Sequence, residues 1–270
     1  MFFRSNRRLL TGQTSLVALL VLAAATVTLT AVAYGALVQT FDVTPRPNKA
    51  SKKHKPRSIS LGIDLGVTDD TGAKPSPLTK TVMRFNKGGQ YNARYLPKCS
   101  AQKLASEGPS ACPKRSRIGS GSATADARPV LTNVNATLTI FNGGRSKGAD
   151  RVILYAVPEI SSPITLVGTV KKKRKGRYDY VLTFDVPPIP TLPGQPNASV
   201  TSVKTKTFRR IVKHKRIRVR RHGQVRRRTV RLPLIAAPRV CKHKKWYAEG
   251  TFVYESGQTI KKTISTRCRR

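Results

Sequence analysis

Acidic residues are scarce in this chain, and their scarcity argues against several kinds of site. Of the 270 residues only 12 are Asp or Glu, against 52 Lys or Arg, which gives a formal net charge of +40. Nothing in the spacing of so few acids singles out the two carboxylates of a glycoside hydrolase. Asp64, Asp69 and Asp70 are close enough in sequence to be calcium ligands, but a turn rich in Asp and Gly is their ordinary explanation.

The motifs of common enzymes and metal sites are also missing. Without a Cys-x-x-Cys or a Cys-x-x-His, a zinc site is not expected. The chain has no Gly-x-Ser-x-Gly elbow and no Gly-rich phosphate loop between a strand and a helix. All four histidines lie among Lys and Arg, where they are poor general bases: His54, His214, His222 and His243. We therefore expect no catalytic residue, no bound metal and no cofactor.

The first 38 residues contain no acid, and most of them are apolar. Three arginines precede a run of 24 residues without a charge, Ser15 to Val38. A cationic start before an apolar run is typical of an export signal, and Ala31-Val32-Ala33 has the small residues that a signal peptidase needs. The run exceeds the about 7–15 residues of a usual signal and is long enough to span a bilayer. Residues 1–38 are therefore a cleaved signal peptide or a membrane anchor, and both place the rest outside the cytoplasm.

Four cysteines in an exported chain predict two disulfides. Of the three pairings, the one local in sequence joins Cys99 to Cys112 and Cys241 to Cys268. The first pair would clip a short helix at Ser100–Ser106, the one clearly helical stretch. The second would close a C-terminal hairpin. By loop-closure entropy the two bonds would contribute about 3 and about 3.5 kcal/mol.

Most of the chain after residue 57 alternates between apolar and polar side chains, as β-strands do. Val134–Ile140 and Tyr178–Val186 alternate regularly. Val152–Val157 is apolar throughout, which is typical of a strand covered on both faces. Asn142-Gly143-Gly144 and Lys175-Gly176 predict reversals between these strands. The pattern predicts a single all-β domain over residues 58–268, a two-sheet sandwich of jelly-roll type with one short disulfide-clipped helix.

Three less regular segments complete this expectation. Residues 39–57 are basic and contain proline, which predicts a solvated linker. Pro187–Pro196 contains five prolines and predicts a rigid extended connection between the two sheets. Ala198–Thr207 has weak apolar alternation and two lysines, so we expect an edge strand there.

The segment Phe208–Leu234 carries twelve Lys or Arg residues and no acid. His222-Gly223 predicts a hairpin turn. With a two-residue turn Ile217 and Val219 share a face with Arg226 and Arg228, and with a three-residue turn they share it with Val225 and Arg227. Both faces of the tip are then too charged to bury. The root is apolar enough to dock, so we expect a hairpin anchored in the sheet by Phe208, Ile211, Val212, Leu232 and Leu234.

Arginine forks suit phosphate and carboxylate groups, and a large positive charge attracts polyanions. Outside the membrane these are envelope polymers and anionic lipid headgroups; nucleic acid is a partner only if the chain is not exported. Alternatively, the charge reflects composition alone. The candidate anion-binding residues are Arg218, Arg220, Arg221, Arg226, Arg227 and Arg228 in the hairpin, with Lys171, Lys172, Lys173 and Arg174 as a second basic tip.

A second hypothesis is a carbohydrate-binding or carbohydrate-active sandwich with a platform of aromatic rings. It requires exposed aromatics beside carboxylates, and the solvent accessibility of Trp246 decides it. The alternation places most of these rings inward, where they would pack the core. The rings concerned are Tyr91, Tyr95, Tyr178, Tyr180, Trp246, Tyr247 and Tyr254.

Four stretches carry a resemblance to a family of uncharacterised exported β-rich proteins from high-GC Gram-positive bacteria. They are DLGVTDDTGAKPSPLTKTVMRFNKGG, LPKCSAQKLASEGPSACPKRSRIGSGSATADARPVL, LYAVPEISSPITLVGT and VLTFDVPPIPTLPGQPNASVTSV. The resemblance covers most of Ser58 to Cys268. No activity is assigned to this family, so the resemblance implies export and a shared β domain and transfers no site residues.

Overall fold

A computed structural model describes residues 35–173, 176–221 and 224–269. They belong to one compact unit. The predicted signal peptide or anchor lies, up to residue 34, outside the described residues. In the ranges that are described, no helix is long and apolar enough to cross a membrane.

The described chain is mostly β-strand, with one short α-helix, α1 (Ala101–Glu107), and four single turns of 3-10 helix. Ser100 caps α1 by accepting a hydrogen bond from the backbone N–H of Lys103. The strands are β1 (Leu37–Arg46), β2 (Ser60–Asp69), β3 (Leu78–Asn86), β4 (Gln90–Tyr91), β5 (Arg117–Ala127), β6 (Leu131–Ser146), β7 (Ala149–Pro158), β8 (Ile164–Lys172), β9 (Tyr178–Asp185), β10 (Ser199–Thr207), β11 (Ile211–Arg221), β12 (Gln224–Pro233), β13 (Ile235–Ala236), β14 (Lys245–Tyr254) and β15 (Thr259–Arg267).

Eleven strands form one antiparallel sheet in the order β1-β2-β10-β5-β6-β7-β8-β9-β3-β14-β15. The sheet rolls up so that its two outer strands, β1 and β15, meet along a seam. There the hydroxyl of Thr266 donates to the carbonyl of Val43 over 2.8 Å. The all-β class is confirmed, but the predicted pair of sheets is replaced by one continuous sheet, because alternation identifies strands and faces without specifying their neighbours.

The folded domain begins earlier than residue 58. Strand β1 pairs with β2 from Leu37↔Asp69 to Arg46↔Ser60, and Ala50 and Ser51 beyond it are buried. The linker predicted over residues 39–57 is therefore wrong. Phe41 and Val43 alternate with polar neighbours, which places both apolar side chains in the core, and the strand ends where the prolines and lysines begin.

Strand β10 is not an edge strand, because it pairs with both β2 and β5. The small residues of β5 let its backbone come close. A Cβ at Gly119 would lie 2.7 Å from the carbonyl oxygen of Lys206, and one at Gly121 would collide with the carbonyl oxygen of Lys204. Close packing against this Gly- and Ser-rich strand accounts for a central β10 with few large apolar residues.

The reversal predicted at Asn142-Gly143-Gly144 is also wrong, since β6 continues to Ser146 through a bulge between Asn142 and Arg145. The buried Asn142 amide instead donates to the carbonyls of Ala93 and Pro97, over 3.1 and 2.9 Å. A side chain that holds a neighbouring loop in this way makes the asparagine a bulge residue rather than a turn residue.

The structure contains both predicted disulfides, with Cα–Cα distances of 5.3 Å for Cys99–Cys112 and 5.9 Å for Cys241–Cys268. The first holds α1 against the outer face of the sheet, where Leu104 packs with Ile153 and Tyr155. Strand β7 is therefore covered on both faces, as its apolar sequence predicts. The second packs with Trp246 and Ile59.

The rolled sheet has two different ends. The end with the β6–β7 and β8–β9 connections, called the basic end, is filled by the Ala93–Tyr95 turn and by Val212 and Leu234. The opposite end carries the β5–β6 and β7–β8 connections and the crossover Pro187–Pro196, and is called the proline end. The predicted extended connection is wrong: the crossover joins two strands of the same sheet and folds back on itself, with the backbone N–H of Gln195 donating to the carbonyl of Leu192 and that of Ala198 to the carbonyl of Ile189.

A cavity of about 330 Å³ lies inside the rolled sheet, lined by side chains from all eleven strands and by no charged residue. Ordinary protein cores have few voids larger than a water molecule, so a space of this size sets the interior of this sheet apart.

The β5–β6 connection at the proline end is held by Asp126. Its carboxylate is 2.6 Å from the guanidinium of Arg128 and accepts the backbone N–H of the same residue over 3.0 Å. Burial alone would raise the pKa of Asp126, but the hydrogen bonds and charge of Arg128 outweigh burial and lower it. A carboxyl with a lowered folded-state pKa stabilises the fold above its unfolded pKa, and this stabilisation is lost as the pH falls through the folded pKa.

We therefore expect Asp126→Asn to lower the free energy of unfolding at neutral pH by about 1–3 kcal/mol. The difference from the wild type should shrink as the pH falls from about 5 to about 2. Urea unfolding across this pH range measures it. Asp185→Asn, at an exposed carboxylate paired with Lys80, is the control, and its free energy of unfolding should differ little from that of the wild type. If Asp126→Asn were less stable than the wild type by the same amount at every pH, the lowered pKa of Asp126 would not be the cause.

Candidate anion-binding site

Strands β11 and β12 form a separate two-stranded sheet, the basic hairpin. Ile217 pairs with Arg228 and Val219 with Arg226, which is the register of a two-residue turn. The predicted turn residues His222 and Gly223 lie outside the described residues. Strand β11 has eleven residues and β12 has ten, and at about 3.3 Å per residue they make a ribbon roughly 30 Å long.

The root of the hairpin docks on the basic end. Val212 and Leu234 are buried there, and the Asn92 amide donates to the carbonyl of Pro233 over 2.8 Å. Phe208 and Leu232 are half-buried. Ile211 was expected in the root, but it is exposed and lies at a bulge between Ile211 and Lys213 that interrupts the regular pairing.

Pairing places one row of cations on a single face of the hairpin, called the arginine face. The cross-strand pairs are Arg218↔Arg227, Arg216↔Thr229, Arg220↔Val225 and His214↔Arg231. On β11 the arginines recur every second residue, about 6.6 Å apart. All of these side chains are exposed. The arginine face consists of Arg216, Arg218, Arg220, Arg227 and Arg231, with His214 at its base.

The structure divides the predicted hairpin residues between two faces. Arg218, Arg220 and Arg227 belong to the arginine face, whereas Arg226 and Arg228 point the other way. The side chain of Arg221 is outside the described part. Sequence reasoning missed Arg216 and Arg231, which the two-residue spacing would have added once the register was known.

The hairpin cations have no acidic neighbours within the hairpin. Residues 211–233 contain ten Lys or Arg and no Asp or Glu. Across the described parts of the chain, the ion pairs lie elsewhere, and none includes a residue of β11 or β12. Like charges directly opposite each other on a ribbon are unfavourable, so an anion bound between Arg218 and Arg227 would relieve repulsion.

The second predicted basic tip lies at the same end of the sheet. Lys171, Lys172 and Lys173 are exposed where β8 ends, and Arg174 is outside the described residues. The ammonium of Lys172 lies 5.8 Å from the centre of the Tyr180 ring. The hydroxyl of Tyr180 accepts the backbone N–H of Tyr91 over 3.3 Å.

Lys213 in the hairpin root lies 4.6 Å from the Tyr95 ring. The segment from Tyr91 to Tyr95 thus touches both basic elements, a proximity that the sequence does not show. Asp150 also lies at this end, where burial raises the pKa of its carboxyl while the charges of Arg145 and Arg94 act against that shift.

Two of the seven rings of the carbohydrate hypothesis, Trp246 and Tyr254, are too buried to stack on a sugar. Trp246 is 5% exposed, and its indole donates to the carbonyl of Val240 over 3.2 Å. Tyr254 is buried as well. On the outer face, Arg177 lies 4.1 Å from the ring of Tyr247. The two buried rings pack the core, as their inward phase predicts.

The acidic turn has local partners. Asp69 accepts the backbone N–H of Thr71 over 2.9 Å, and Asp70 accepts that of Ala36 over 2.9 Å. The hydrogen bond from the Thr71 hydroxyl is the main reason that the pKa of Asp69 is lowered. Among the residues that can be described, no three His, Cys, Asp or Glu side chains form a group that could hold a metal ion.

The fold and the hairpin define a disulfide-bonded, mostly β protein with a projecting cationic ribbon. No family model, curated protein or solved structure matches the chain. The resemblance to exported proteins of high-GC Gram-positive bacteria stays a prediction. The two disulfides are typical of an oxidising, extracellular environment.

Proposed function

We propose that this is a non-enzymatic, exported protein of the cell envelope that contacts an anionic polymer or anionic lipid headgroups through its basic hairpin. The arginine face carries this proposal: five exposed arginines on one side of a ribbon, with no acid beside them. Export is supported by the two disulfides and by the cationic and apolar pattern of residues 1–38. The N-terminal segment is either a cleaved signal or an anchor that holds the protein at the membrane.

The geometry of the arginine face favours a polymer over a lipid surface. Guanidinium groups at a regular spacing suit a chain with an anionic group in each repeat, because each arginine can form a two-pronged contact. Proteins that insert into lipid present aromatic or large aliphatic residues beside their cations. The arginine face has one such residue, Val225.

Salt dependence tests this proposal. With five contacts, affinity for inorganic polyphosphate should fall roughly 10²- to 10³-fold between about 50 and about 200 mM salt, by analogy with phosphate contacts on nucleic acids. Binding is measured by fluorescence anisotropy of the labelled polymer. Equal affinity at both salt concentrations would overturn the electrostatic contact. Binding to phosphatidylglycerol vesicles without binding to polyphosphate would assign the hairpin to lipid headgroups instead.

A further inference from the structure

The cavity inside the rolled sheet is closed at one end and accessible at the other. Along β6, Leu138 and Ile140 are buried near the basic end, whereas Val134 and Ala136, nearer the proline end, are only half-buried. All four line the cavity. Along β8 the buried Val170 gives way to the half-buried Leu166 and Ile164 in the same direction. On these two strands burial decreases towards the proline end.

Large apolar side chains are exposed to water around that accessible end. Exposed apolar residues that are close together on a surface generally mark a binding site. They come from the β5–β6 connection, the β7–β8 connection and the proline crossover, which also contributes Ile189 to the cavity wall. The exposed residues are Val130, Leu131, Ile160 and Leu192.

We propose that the cavity binds one long aliphatic chain, which enters tail first at the proline end. The wall carries no charge, so it suits a hydrocarbon and not an ionic group. Its depth from Val134 to Ile140 is six residues of strand, or about 20 Å. The volume of about 330 Å³ is within the range of small-molecule sites, about 300–1,000 Å³. A polar headgroup stays at the mouth.

Uncharged alcohols of increasing chain length test this site without involving the arginine face. Trp246, the only tryptophan of the chain, lines the cavity, so its emission should shift when the chain enters. Affinity should rise about fourfold for each added methylene, which is the transfer free energy of one buried CH₂, and should level off once the cavity is full. Absence of binding by 1-hexadecanol, or affinity independent of chain length, would overturn the proposal.

A matched pair of variants locates the site. Ala136→Phe places a ring in the accessible part of the cavity and should weaken 1-hexadecanol binding roughly 10- to 100-fold. Thr137→Phe, the next residue on the outer face of β6, should leave it unchanged. Circular dichroism verifies that both variants fold; if Ala136→Phe does not, the chain-length series on the wild type still decides. Equal affinity in folded Ala136→Phe and wild type would overturn the site.

Two further probes distinguish the possible sources of the bound aliphatic chain. Palmitate tests a free fatty acid, and phosphatidylcholine vesicles with a labelled acyl chain test extraction from a lipid. Transfer in either arm supports the chain-binding site. Because alcohols and phosphatidylcholine carry no net charge, their binding should not depend on salt. A loss of polyphosphate binding alone would therefore leave this inference intact, and a loss of alcohol binding alone would leave the hairpin proposal intact.

Discussion

Replacing Phe252 with alanine is expected to lower the free energy of unfolding by about 3–5 kcal/mol. Phe252 is 1% exposed, and its ring lies across Gly250, where a Cβ would be only 2.7 Å away. The ring also meets that of Phe41 edge-on, with 5.7 Å between centroids. The substitution therefore opens a hole on the inner face of the sheet, between Phe252 of β14 and Phe41 of β1, beside the seam. Equilibrium unfolding in guanidinium chloride measures the loss.

Val253→Ala is the matched control, because Val253 is the next residue of β14 and faces outward, half-buried. It should reduce stability by roughly 1 kcal/mol or less. If both variants lost the same stability, the seam would not depend on the Phe41–Phe252 contact. The loss in Phe252→Ala is a large part of the about 5–15 kcal/mol of a typical domain, so this variant should be much more easily unfolded.

Changing all five residues of the arginine face to glutamine should weaken polyphosphate binding by roughly 10³-fold or more at low salt, since each cation near an anionic surface contributes about 1 kcal/mol. The side chains are exposed, so the fold should be unaffected, and circular dichroism checks this. Fluorescence anisotropy with the labelled polymer measures the affinity. The substitutions are Arg216→Gln, Arg218→Gln, Arg220→Gln, Arg227→Gln and Arg231→Gln.

A control with the same change in net charge separates the arginine face from the overall field. Five exposed lysines outside the hairpin are changed to glutamine: Lys52, Lys53, Lys87, Lys114 and Lys262. This set should weaken binding by less than about tenfold, since it alters only the long-range field. If this lysine set lost as much affinity as the arginine set, the overall positive charge of the protein, and not the arginine face, would determine polyphosphate binding.

The sequence predicts local features of this fold well and neighbour relations poorly. Alternation with a period of two finds β2, β6, β9 and β14, because a strand with one buried face must alternate. It does not tell which strand lies beside which. The position of β10 between β2 and β5 and the continuous rolled sheet depend on that missing relation. The cavity forms because the sheet rolls up until β1 meets β15, and no sequence pattern within a single strand predicts it.

The candidate site shows the same division. A hairpin was predictable because His222-Gly223 separates two β-branched, charged runs, and neither face could be buried. Arg216 and Arg231 were missed because their common face exists only in one register. The approach of the Lys171–Lys173 tip to the same end depends on contacts through Tyr91 and Tyr180, which lie far apart in the chain.

The strand order also governs when the molecule can fold. Some neighbouring strands are far apart in sequence: Leu65 of β2 pairs with Val203 of β10, and Phe85 of β3 pairs with Ala248 of β14. Pairings between such distant residues form slowly, because the entropy of closing a long loop is lost before the contacts that stabilise the pairing are made. A chain synthesised with β1 first therefore carries unpaired strand edges until its last hairpin has formed. Its net charge of +40 opposes association between chains during that interval.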